Sequence, residues 1–169
     1  MSTIELGAGI STVWLRGLIA LSGAAIMMVL ATNGLGGPAL VLVGIAVLMS
    51  VGVPASPAPA LVLLLVAISA VAIGGSPFAP HVLLLVPLVH LLHVSCALAG
   101  LVPMRSRIQR SALRAPAIRF LAIQAGTFAL AGVIALAPTG RAPAVLEMVA
   151  VGGIAVIAVI LWRLMHRAL

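Results

Sequence analysis

The stretch Phe78–Pro103, FAPHVLLLVPLVHLLHVSCALAGLVP, decides how this chain is read. It is longer than the ~20 apolar residues that a ~30 Å hydrocarbon core requires. It carries no acid and no arginine, and its polar groups are His81, His90, His93, Ser95 and Cys96. Pro87 sits near its middle, where it removes the bond to the carbonyl of Leu83 and favours a kink. A bare backbone amide finds no partner in lipid, so such a run has to be helical.

The rest of the chain agrees. Of its 169 residues 64% are hydrophobic and 7% charged, with a mean hydropathy of +1.38. A soluble domain of this length needs more polar surface than that. The expected fold is all-α: a polytopic integral membrane bundle forming one transmembrane domain over residues 1–169. Alternating β-barrel patterning is absent.

Glycine and proline punctuate the chain into about six spans. These are residues 12–32, 38–53, 58–73, 78–103, 116–137 and 143–165, with a basic link over 104–115. Asn33-Gly34-Leu35-Gly36-Gly37-Pro38 is a turn followed by a helix start, and Pro54, Pro57 and Pro59 break the second span from the third. The second span is short and is expected to thin the bilayer or tuck among its neighbours. A retained first helix is favoured over a cleaved signal, since the basic n-region and an A-x-A site are both missing.

Net charge is +7, the basic residues are all arginine, and the two acids are Glu5 and Glu147. A sequence pI near 12.0 in a soluble protein would suggest nucleic acid. Here the arginines gather at span edges, which the cytoplasmic bias of positive charge explains instead, and no nucleic-acid partner is expected. Arg105, Arg107, Arg110, Arg114 and Arg119 flank the link between the fourth and fifth spans, so that link is expected in the cytoplasm. Six spans then leave both termini in the cytoplasm. Arginine without lysine, with heavy alanine, valine, leucine and glycine, resembles GC-rich bacterial coding style.

Four groups of residues could carry chemistry. His90 and His93 lie three apart near mid-span, and ionisable groups at that depth need a partner. Gln124 and Thr127 on the fifth span are the nearest candidates, and with the two histidines they form a candidate intramembrane polar site. The plain alternative is helix–helix hydrogen bonding. His81 and Glu147 match in depth at the outer side and form a candidate pair, each favouring the charged form of the other if the helices touch. Arg105, Arg107, Arg110 and Arg114 are candidate contacts for anionic lipid. Arg107, Arg110 and Arg114 would share one side of a helix, with Ile108 and Leu113 dipping into the bilayer. Cys96, the one cysteine, reads as a buried thiol.

A nucleophile elbow, a phosphate-binding loop, HExxH and CxxC are all missing from the sequence, as is aspartate. The chain therefore reads as a small membrane component without enzymatic chemistry or bound metal. It is expected to pack against itself or against other membrane subunits. Two rivals remain: a transporter or channel with a polar path through His90 and His93, and a redox subunit holding haem through one of them.

Overall fold

The computed structural model describes residues 10–102 and 106–135. Residues 1–131 belong to one compact unit, and of a second, 132–169, only 132–135 are described. Among the described residues there are five helices: α1 (Thr12–Thr32), α2 (Gly37–Gly52), α3 (Ala58–Ile73), α4 (Pro80–Leu101) and α5 (Arg110–Ala135). Two short extended segments, β1 (Ile10–Ser11) and β2 (Arg107–Ile108), pair antiparallel, Ile10 opposite Ile108 and Ser11 opposite Arg107.

Each boundary has a local cause. Ser11 caps α1, its hydroxyl accepting from the Val13 amide at 3.3 Å. The helix ends where Gly34 takes φ +91°, a conformation that a side chain disfavours. Proline lies in the first turn of α2, α3 and α4, where a missing amide hydrogen costs nothing. Gly74 ends α3 with φ +76°.

The core is built by α1 to α4. α1 contributes Leu15, Ile19, Ile26 and Leu30, α2 Val43 and Val47, α3 Val62 and Val66, and α4 Leu85, Leu92, Cys96 and Ala99. Spacings of three, four and seven along α1 and α4 put these residues on one stripe per helix. α1 packs most extensively against α4, α2 bridges α1 to α3, and α3 returns to α4, which closes a four-helix ring. Gly23 of α1 faces Val47 of α2 closely enough that any side chain there would overlap it. Ser22, Ser50 and Thr32 turn their hydroxyls back to carbonyls of their own helices at 2.8–2.9 Å, so they ask nothing of a neighbour.

Among the described residues three helices are long and apolar enough to cross a bilayer: Thr12–Thr32, Pro80–Leu101 and Ser111–Ala135. At 1.5 Å per residue α2 and α3 reach only ~24 Å each. The expected span 143–165 lies outside the described residues.

The start of α5 differs from expectation. Pro116 suggested a helix beginning there, yet the helix starts at Arg110 and takes Pro116 into its second turn. Proline there removes only the bond to the Ala112 carbonyl, and the segment before it is rich in alanine, leucine and arginine, good helix formers. The basic link is therefore not one surface helix. Arg107 is extended in β2, while Arg110 and Arg114 open α5.

Candidate intramembrane polar site

His90 lies ten residues into α4, ~15 Å from its start, and Gln124 lies on α5. The Gln124 amide nitrogen stands 2.6 Å from His90 Nδ1. An amide nitrogen can only donate, so Nδ1 accepts and the ring proton is left on Nε2. One turn earlier on α5, Phe120 lays its ring beside the imidazole, with centroids 4.8 Å apart and planes tilted by 36°. α5 thus grips His90 with two residues four apart, which share a helix face.

Gln124 is 8% exposed, and it is the only buried side chain among those described on α5. Its Oε1 is buried and accepts no hydrogen bond among the described residues. A polar group in that position costs free energy until a donor reaches it.

The other two members of the expected site stand apart. Thr127 returns its hydroxyl to the Ile123 carbonyl of its own helix at 2.9 Å and is exposed. His93 is exposed, and with His90 it lines a groove of about 400 Å³ between α3 and α4 whose other walls include Val66, Ala70, Leu85 and Val89. No cluster of three or more metal-ligating side chains occurs among the described residues.

His81 sits in the first turn of α4, near Gly75, and its Nε2 is buried without a hydrogen bond among the described residues. Its expected partner, Glu147, lies outside the described residues, as does Arg105. Arg114 is exposed on the first turns of α5.

One polar contact was not expected. Arg16 of α1 donates through Nη1 to the carbonyls of Val51 and Gly52, at 2.7 and 2.9 Å. These are the last carbonyls of α2, which have no intrahelical donor, and a cation suits the negative end of the helix dipole. Only the general preference for a basic residue near a helix C-terminus could have pointed to it, and the sequence separation hid the partner. At the same end Thr12 Oγ1 donates to the Ser106 carbonyl at 3.0 Å, extending the β1–β2 pairing. No known protein family, curated protein or solved structure matches the chain.

Proposed function

We propose that the protein is a six-span, non-enzymatic membrane component, with both termini in the cytoplasm, that packs against copies of itself or against other membrane subunits. The observation that carries this is α5. It is long and apolar enough to cross a bilayer, yet of its described side chains only Gln124 is buried. Its residues Leu113, Ala117, Phe120 and Gln124 fall on one stripe at 100° per residue. Ala122, Ala125, Gly126 and Ala129 fall on the opposite side and are all exposed. Small side chains allow backbones to approach closely, and close packing is what associates helices in lipid.

The polar residues support the same reading. The mid-span hydrogen bond between His90 and Gln124 joins α5 to the ring, and the hydroxyls of Ser22, Ser50 and Thr127 are satisfied within their own helices. The groove beside His90 and His93 favours the transport reading as the second choice, since it places two imidazoles against one concave surface. With Nδ1 taken by the Gln124 amide, Nε2 is the ring nitrogen of His90 left for a metal.

The test is association in mild detergent. Gly126→Leu, which closes the small-residue side of α5, is expected to convert an oligomer to a monomer, or to release a copurifying subunit, with helical content unchanged. A wild-type protein that is monomeric and partnerless would overturn the packing reading. Proteoliposome flux abolished by His93→Ala would put transport in its place. For orientation, Ser106→Cys is expected to react with an impermeant thiol reagent only from the cytoplasmic side.

A further inference from the structure

A second concavity lies between α1, α4 and α5. It has a volume of about 320 Å³, and its walls include Leu15, Leu18, Leu91, Leu98, Leu113 and Ala117. Along α4 it runs from Leu98 to Leu91, ~10 Å, which is within the ~15 Å of one leaflet's hydrocarbon. Its deep end reaches Phe120, whose ring rests on His90, so the Phe120–His90–Gln124 contact closes it toward the bilayer centre. Its shallow end is lined by Leu98 and Leu113. Arg114 follows Leu113 of its lining and is exposed, whereas Arg16, next to Leu15, is engaged with the carbonyls of α2. No carboxylate occurs in the sequence between residues 10 and 135.

We propose that this cleft binds one phospholipid with a net-negative headgroup, its acyl chain lying between α5 and the α1–α4 pair and its phosphate meeting Arg114. Leucine-lined space of one-leaflet depth fits a chain. An exposed arginine, Arg114, next to the lining fits a phosphate. A chain in the cleft would also supply the dispersion contacts that α5 lacks on this side, where a gap leaves lining atoms without partners. The proposal rests on the reading of the protein as membrane-spanning. It depends neither on which face is cytoplasmic nor on whether a protein partner exists.

The experiment uses the full chain in mild detergent, stripped of lipid and then titrated with phosphatidylglycerol or with phosphatidylcholine of the same chains. Native mass spectrometry and the midpoint of thermal unfolding are read together. One phosphatidylglycerol is expected to be retained per chain, with a higher midpoint than phosphatidylcholine gives. Arg114→Gln is expected to weaken retention of phosphatidylglycerol roughly fivefold, the worth of one basic side chain near an anionic surface. Ala117→Trp, which fills the cleft, is expected to abolish retention of both lipids. Leu98→Phe narrows the cleft from α4 and serves if the tryptophan variant does not fold. Glycerol phosphate, which has the headgroup charge without the chain, is expected to bind no more tightly to wild type than to Ala117→Trp. Equal retention of the two lipids, or retention unaffected by both cleft-filling variants, overturns the proposal. Oligomeric state is recorded in the same spectra. A monomer that keeps its lipid would sink the packing function alone, and an oligomer that keeps none would sink the lipid site alone.

Discussion

Gly23 of α1 and Val47 of α2 meet so closely that a β-carbon on the glycine would overlap Val47 Cγ1. The contact lies within the buried core of the ring. Gly23→Leu is expected to destabilise the protein by about 1–3 kcal/mol, the usual range for overpacking a filled core. Val47→Ala in the same chain should recover part of that loss. Unfolding midpoints in detergent check both, and a neutral Gly23→Leu would show that α1 and α2 are not packed this tightly.

The bond between Gln124 and His90 lends itself to a double-mutant cycle. Gln124→Leu and His90→Leu are each expected to lower stability, with a coupling of ~0.6 kcal/mol and at most ~1.7 kcal/mol, the measured span for such bonds in membranes. Nitrogen-15 spectra of labelled histidine should find the His90 proton on Nε2. A proton on Nδ1 would mean that the Gln124 oxygen, not its nitrogen, faces the ring.

Arg16 holds two carbonyls that α2 cannot satisfy alone. Arg16→Gln keeps one donor group and removes the charge, and Arg16→Leu removes both. The expected order of stability is wild type, then glutamine, then leucine. The leucine variant should lose about 1.5–3 kcal/mol, the range for a hydrogen bond from a charged group. Equal midpoints for all three would reduce Arg16 to a topology signal.

The pairing of β1 with β2 predicts a cross-link. Backbones of facing antiparallel residues stand ~4.5–5.5 Å apart, within disulfide reach. Ile10→Cys with Ile108→Cys, in a Cys96→Ser background, is expected to close a disulfide under mild oxidation, while Ile10→Cys with Val53→Cys should not. Failure of the first pair to close, with both thiols reactive, would count against the clasp.

Much of the ring was legible in the sequence. Gly34 and Gly74 mark helix ends by conformations that only glycine adopts freely, and the prolines of α2, α3 and α4 mark starts by the donor they lack. Gln124 and His90 were legible as members of one polar group, because few other polar residues occur at that depth. Thr127 was grouped with them on depth alone, and depth does not specify a partner: its hydroxyl is used by Ile123. The early start of α5 was hidden because proline is tolerated both at a helix's first position and, at the cost of one bond, in its second turn. The clasp was hidden more completely. Ile10-Ser11 and Arg107-Ile108 are too short to show alternation, and their pairing is set by where α1 and α4 bring the chain.

That clasp carries a parity rule for threading the membrane. Two strands can share backbone hydrogen bonds only if they emerge in the same aqueous compartment, so in any bilayer-spanning arrangement the polypeptide between Ser11 and Arg107 traverses an even number of times. α1 and α4 each have the length for a full traverse, and the pair between them must then go through together or turn back together. No arrangement in which one of the short helices penetrates alone is compatible with the knot of strands at its base. α5 has the length and apolar character for one further traverse.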